Sequence, residues 1–280
     1  MHRIFNFDDY SALLGLVRNS LIAGALVAIV GGLIGPFVVS RDLPFAVHGI
    51  SELSFAGASG ALLIGANVVV GAIAGSLVAA LLLGVLGTRA QQRNSAIGVV
   101  MPFGLGLGVL FLALYKGRAA NKFGLLTGQI VAVDTPRLHW LIGVAAVVIV
   151  ALAIMWRPLA FAGIDPEVAA ARGVPTRALS IAFMLTLGLA VATAVQIVGA
   201  LLVLALLVTP AAAAMQVTAN PAAVTSLSVA FAVTATVGGI LLATGSELPI
   251  SPYVTTISFT IFLLCKVFGA HRARHGWVSR

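Results

Sequence analysis

Charged residues are scarce in this sequence. Asp, Glu, Lys and Arg make up 9% of its 280 residues, whereas apolar residues make up 60%. Soluble domains are about a quarter charged and a little under half apolar, so this composition excludes a water-soluble globule. The mean hydropathy of +1.12 supports the same conclusion. The predicted fold class is all-α: a polytopic helical membrane protein.

Several functional motifs are absent as well. The single cysteine, Cys265, excludes a disulfide framework and a thiolate metal cluster. The sequence contains no G-x-x-x-x-G-K-S/T loop for ATP phosphates, no H-E-x-x-H zinc pair and no G-x-S-x-G nucleophile. These absences disfavour an intramembrane enzyme. Any transport work would need a partner protein or an ion gradient.

The basic residues bear on topology. The 16 Lys and Arg residues exceed the 8 Asp and Glu residues, and they lie between apolar runs. This placement favours contact with membrane lipid headgroups, and no nucleic acid partner is expected. Ten of the 16 fall on one side of the predicted topology, which places the N-terminus outside and the C-terminus in the cytoplasm.

Nine apolar runs approach the roughly 20 residues needed to cross a bilayer. The second is the least apolar, and the sixth and seventh are almost without a connecting loop, so eight spans are the alternative. Pro36, Pro102 and Pro210 should bend or break the first, fourth and seventh spans. Gly71-x-x-x-Gly75 and Gly104-x-x-x-Gly108 predict close helix packing. The nine predicted spans are Leu21–Val39, His48–Gly65, Asn67–Leu86, Ser95–Tyr115, Leu138–Trp156, Ala178–Val195, Ile197–Val217, Ala222–Ala243 and Ile250–Val267.

One predicted span carries a candidate metal site. His48 and Glu52 are four residues apart, so on a helix they share one face. An ionisable residue within a span is unfavourable by about 2.5–3.5 kcal/mol and therefore points to function. Imidazole and carboxylate together suit Zn²⁺ or Mn²⁺. The alternative interpretation is a His–Glu hydrogen bond at a helix start.

The loop between the fifth and sixth spans predicts a short helix capped at both ends. Asp165 suits the N-cap, Pro166 the first helical position, and Glu167 the positive end of the helix dipole. An Ala-rich stretch containing Ala170 follows; Arg172 suits the negative end, and Gly173 suits a left-handed cap. Such a helix is either an interfacial connection or a docking element for a cytosolic partner.

The loop after the fourth span contains an unusual apolar segment. Leu125–Val133 would lie outside the membrane, where its exposure to water is unfavourable. We therefore expect it to form a short re-entrant helix that closes the outer mouth. The residues assigned to this gate are Leu125, Leu126, Thr127 and Gly128.

Three segments together resemble one transporter family. Gly163–Pro175 is similar to a coupling segment of the form D-x-E-x-A-x-x-x-G-x-P. Leu125–Val133 is similar to L-L-F-G-x-I-L-A-V, and Val198–Ala212 resembles V-G-x-x-L-x-x-A-x-L-x-x-P-A-A. In this order they match the permeases of the zinc/manganese-type bacterial ABC importers over about residues 20–268.

The resemblance implies a fold like that of the cobalamin importer permease without its first helix. It implies a homodimer in the bacterial inner membrane that receives zinc or manganese from an external substrate-binding protein. Cytosolic ATPase subunits would dock on Asp165–Gly173 and bind the ATP, so no cofactor is expected on this chain. The family has Asp and His where this chain has His48 and Glu52, which reverses their order.

The expected organisation is a single membrane domain over residues 1–280. It would comprise an outer N-terminal segment (1–20), a cytoplasmic coupling segment (157–177) and a basic cytoplasmic tail (268–280). The alternative function is an ion-coupled secondary transporter or channel for a divalent cation, which would need no partners. That class predicts chains of intramembrane acids, and Glu52 is the clear candidate here.

Overall fold

Helices form all the regular structure in the described part of the chain. The computed structural model describes residues 17–86, 90–117, 133–244 and 250–274, and the predicted all-α class is confirmed there. The helices are α1 (Arg18–Ser40), α2 (Pro44–Leu63), α3 (Val68–Leu86), α4 (Ala90–Leu114), α5 (Thr135–Ile164), α6 (Pro166–Ala171), α7 (Thr176–Val198), α8 (Val203–Leu207), α9 (Thr209–Val217), α10 (Pro221–Thr244) and α11 (Ile250–Arg274), with a 3₁₀ turn at Ala200–Leu202.

Seven of these helices are long and apolar enough to cross a membrane, by length and composition: α1, α3, α4, α5, α7, α10 and α11. They correspond to seven of the nine predicted spans. The second predicted span is α2, whose 20 residues include His48, Glu52 and three serines and are therefore less apolar. α5 continues through Arg157 and Pro158 to Ile164, beyond its predicted end at Trp156.

The seventh predicted span differs from one continuous helix. α7 runs through Gln196 to Val198 and ends at Gly199, whose φ is +82°. The 3₁₀ turn, α8 and α9 then follow, and Pro210 lies in the first turn of α9. Pro210 thus lies at a break, as predicted. Pro36 and Pro102, by contrast, are accommodated inside α1 and α4.

Two long-range hydrogen bonds define the two ends of the bundle. Arg137 Nη2 donates to the Gln196 carbonyl at 3.0 Å, which joins the start of α5 to the end of α7. Arg41 Nη2 donates to the Leu159 carbonyl at 3.0 Å, which joins the end of α1 to the last turns of α5. Because α6 directly follows α5, the end of the bundle at which α1 and α5 end is called the α6 end. α2 begins at this same end.

α2 lies at the centre of the described fold, and 13 of its residues are buried. It packs mainly against α3 and α4, through glycines that bring the backbones into contact. A side chain at Gly57 would meet the Gly71 carbonyl, and one at Gly75 would meet the Leu53 carbonyl. On the other flank, a side chain at Gly104 would meet Leu53. The predicted close packing is confirmed.

Candidate functional site

His48 and Glu52 lie side by side on α2. The His48 Nε2 and Glu52 Oε1 atoms are 3.6 Å apart, which is longer than a hydrogen bond. Glu52 is 2% exposed, whereas the side chain of His48 keeps 25% of its exposure. Helical spacing of four residues explains this proximity. The pair therefore places one imidazole and one carboxylate side by side.

Each of these side chains carries a buried polar atom without a hydrogen bond. Glu52 Oε2 and His48 Nδ1 have no partner among the residues that the structure describes. A buried polar group without a partner is unfavourable by about 1–3 kcal/mol, and more when charged. A bound cation at Glu52 would remove part of this penalty, which is chemistry that a transit site for metal requires.

One chain supplies an incomplete ligand set. Within the described ranges, no group of three or more His, Cys, Asp or Glu side chains could hold a metal ion. His48 and Glu52 provide two ligands, whereas Zn²⁺ takes four and Mn²⁺ prefers still more oxygen atoms. Further ligands would have to come from a second copy or from water.

The pair lies in the half of α2 nearer the α6 end. Glu52 is eight residues after Pro44, the first residue of α2, so it lies about 12 Å along the helix axis. Ser51 donates to the His48 carbonyl at 2.7 Å, and Ser54 donates across to the Ala72 carbonyl of α3 at 3.0 Å. These serines satisfy backbone carbonyls and leave the ligand atoms unoccupied.

α6 has the caps that were predicted from its sequence. The Asp165 side chain accepts hydrogen bonds from the amides of Glu167 and Val168, both at 3.0 Å. At the other end, Gly173 has a φ of +86°. The amides of Gly173 and Val174 donate to the carbonyls of Ala170 and Ala169, a Schellman arrangement. The helix ends at Ala171, so Arg172 is its cap and not its last residue.

The surface of α6 is largely open. Ala169 is fully buried against the bundle, which fixes the helix to the fold. Pro166, Glu167, Ala170, Arg172 and Gly173 are exposed. Val168 and Ile164 are also exposed, at 45% and 86%. A rigid helix with exposed apolar and charged residues can form a contact surface for another protein.

Sequence reasoning did not identify the contacts around Arg41. Its guanidinium carbon lies 5.5 Å from the centre of the Phe183 ring, and Phe37 packs edge-on against Trp156. No local pattern links residues so far apart along the chain. The available signal was a lone arginine at the end of an apolar run.

Two other places bear on the predicted functional residues. The gate residues Leu125, Leu126, Thr127 and Gly128 lie outside the described residues. A cavity of about 590 Å³ opens between α5 and α7, where it is lined by Pro136, His139, Trp140 and other mostly apolar residues. It lies at the opposite end from α6 and includes neither His48 nor Glu52.

Comparison with known sequences covers nearly the whole chain. The ABC 3 transport family matches residues 14–269. The manganese transport system membrane protein MntC of Halalkalibacterium halodurans is 28% identical over 269 residues, which are 96% of this chain and 92% of that protein. The manganese import system permease protein ScaB of Streptococcus parasanguinis is 28% identical over 262 residues, 93% of each chain.

Solved structures show the same architecture. PsaBC from Streptococcus pneumoniae, solved in complex with Fab, matches with a TM-score of 0.82 and 26% identity, over 93% of this chain and 95% of that one. An inward-facing transporter of the metal-chelate type matches with a TM-score of 0.68 at 20% identity, over 90% of this chain and 85% of that one. The latter likeness shows the fold alone. The predicted relationship is confirmed: the chain belongs to the ABC 3 transport family and is a multi-pass permease of the bacterial inner membrane.

Proposed function

We propose that this chain is the membrane permease of an ATP-driven importer for a divalent transition metal. The observation that carries the proposal is Glu52, a buried carboxylate on the central helix, with an unpartnered oxygen and an imidazole beside it. Manganese is the first candidate cargo because the named relatives are manganese transport proteins. Zinc is the second, since imidazole nitrogen suits it well.

The metal would pass between two copies of the chain. A homodimer would bring two imidazoles and two carboxylates to one axis, enough to hold Zn²⁺ or, with added water, Mn²⁺. The site should bind weakly, since an ion must also leave it. An external substrate-binding protein would deliver the metal at the end opposite α6.

The ATPase would act on the permease through α6. The helix is fixed by Ala169, capped at both ends and exposed along its outer face, as a docking element for a cytosolic ATPase requires. ATP would be bound by that partner.

We further propose that α2 and the broken segment from Ala200 to Val217 complete nine crossings, with the C-terminus in the cytoplasm and a fold like that of the cobalamin permease. The gate role of Leu125–Gly128 remains part of the proposal.

Reconstitution tests this function. The permease, its ATPase and its binding protein would be placed in liposomes, and uptake of Mn²⁺, Zn²⁺ and Fe²⁺ would be measured with and without ATP. We expect ATP-dependent uptake that is greatest for Mn²⁺ or Zn²⁺, with ATP hydrolysis stimulated by the same metal. Uptake driven by an ion gradient without ATP would instead support a secondary transporter, and uptake of none of the three metals would refute the proposal.

A further inference from the structure

We propose that Arg41 is a positioning residue that carries movement of α6 to the His48–Glu52 pair on α2. The inference rests on the proposed function and adds to it a residue that touches neither the metal nor the ATPase. It follows from four sets of contacts: those of Arg41, those of Phe37, the turn between α1 and α2, and the packing of α2.

Arg41 joins three helices at the α6 end. It is the cap residue of α1, it donates through Nη2 to the Leu159 carbonyl of α5 at 3.0 Å, and its guanidinium lies 5.5 Å from the Phe183 ring of α7. α5 and α7 are the helices that precede and follow α6 along the chain. A planar guanidinium can donate a directed hydrogen bond and stack on a ring together, which a lysine ammonium does less well.

An aromatic cluster supports the same connection. Phe37 lies one turn before Arg41 on α1, so both side chains share a face. The Phe37 ring packs edge-on against Trp156 of α5 at 4.9 Å and against Phe183 of α7 at 6.2 Å. Phe183 therefore contacts both residues of α1. A shift of α5 or α7 at this end must displace the end of α1 as well.

The turn from α1 to α2 is short and well ordered by hydrogen bonds. Asp42 has a φ of +53°, the left-handed conformation of a helix cap. The amides of Asp42 and Leu43 donate to the carbonyls of Val39 and Val38 at 3.3 and 2.9 Å, which forms the same Schellman arrangement that ends α6. Leu43 is buried. Because the turn is short and held by these hydrogen bonds, a displacement of Arg41 would also displace the start of α2.

α2 would move together with the helices that hold it. α1 and α2 contact each other little, whereas the glycine contacts lock α2 to α3 and α4. Packed interiors respond to such displacements as discrete shifts of rigid parts and not as gradual deformation. His48 and Glu52 follow Pro44 by four and eight residues, so they lie just over one and just over two turns from the start of α2. Movement at α6 would therefore change the space between the pair and its copy.

The test compares coupling in the complete complex with its ATPase and binding protein, using Mn²⁺ in liposomes. Arg41→Gln and Arg41→Lys would be measured beside Lys266→Ala, since Lys266 is an exposed cation on α11, outside the coupling segment. We expect all three to retain ATPase co-purification and basal hydrolysis within twofold. Mn²⁺ transported per ATP should fall at least tenfold in Arg41→Gln and at least threefold in Arg41→Lys, and should be unchanged in Lys266→Ala.

A second variant covers the case in which the Arg41 variants fail to accumulate. Phe183→Leu keeps an apolar side chain and removes the ring beneath the guanidinium; Phe259→Leu, at an exposed position on α11, is its control. We expect at least a threefold loss of Mn²⁺ per ATP in Phe183→Leu alone. A ratio of Mn²⁺ transported per ATP within twofold of wild type in Arg41→Gln overturns the inference. If the Arg41 variants do not accumulate, the same result in Phe183→Leu overturns it. No ATP-dependent Mn²⁺ uptake by the wild type would instead overturn the proposed function.

Discussion

At the scale of single residues, Glu52 is the group whose placement most needs an explanation. It is the sole Asp or Glu within the long helices that the structure describes. Burial of a carboxylate is unfavourable unless it is paired, and its Oε2 atom has no partner in the described ranges. The neighbouring imidazole, 3.6 Å away, is too far for a hydrogen bond. The proposed transit site would account for this arrangement, because a cation would be held for a short time between two such carboxylates.

Substitution of Glu52 by Gln separates this role from a structural one. Glu52→Gln removes the ligand charge and keeps the shape, so metal-stimulated transport should fall at least tenfold. Because the substitution also removes a buried carboxylate, the melting temperature of the detergent-solubilised protein should be unchanged or higher. Ser51→Ala is the control, since its hydroxyl donates to a backbone carbonyl of its own helix. Wild-type transport rates in both Glu52→Gln and His48→Ala would place the pathway elsewhere.

At the scale of helices, local sequence signals predicted α6 far better than they predicted the course of the chain from α7 to α9. The cap at Asp165 and the turn at Gly173 are set by residues within the segment, so both were predicted correctly, and Arg172, assigned to the negative end, is the residue that follows the last helical residue. The break after Val198 requires a φ of +82° at Gly199. The predicted boundary between the sixth and seventh spans lay at Gln196, because the apolar residues on both sides of Gly199 do not indicate a turn there. The contacts of Arg41 depend on partners over a hundred residues away, beyond any local pattern.

The left-handed turn at Gly173 should matter for docking. An alanine there must adopt a φ near +86°, which is unfavourable by about 1 kcal/mol or more. Gly173→Ala should therefore weaken binding of the ATPase about fivefold, measured as co-purification against ATPase concentration. Gly143→Ala is the matched control, because a side chain there meets nothing within 4 Å and the residue lies inside α5, outside the coupling segment. Equal ATPase binding in the two variants would remove α6 from the docking surface.

At the scale of the whole molecule, the helices divide by their packing. α2, α3 and α4 are joined through glycine contacts, and α3 also packs on α7. α1 instead packs on α5, α7, α8, α9 and α10, and side chains at Gly31 and Gly35 would meet the Leu206 and Leu207 carbonyls. α4 is among the least buried of the long helices, since 22% of its apolar window is covered. It is thus the open flank beside the His48–Glu52 pair.

α7 packs on α3, so the α3 side of α2 is covered. Two copies of His48 and Glu52 can therefore meet only if the dimer axis lies on the α4 side. Val99 and Phe103 are one turn apart on α4 and are 71% and 61% exposed, level with the Gly104 contact to α2. In a Cys265→Ser background, Val99→Cys or Phe103→Cys should cross-link to its own copy in membranes treated with a short bis-maleimide. Val150→Cys and Ile154→Cys on α5 are equally exposed, at 58% and 74%, and should remain monomeric because α5 lies away from α2. Dimer formation through α5 and not through α4 would separate the two His48–Glu52 pairs by the width of the bundle, and the proposed shared site would then be impossible.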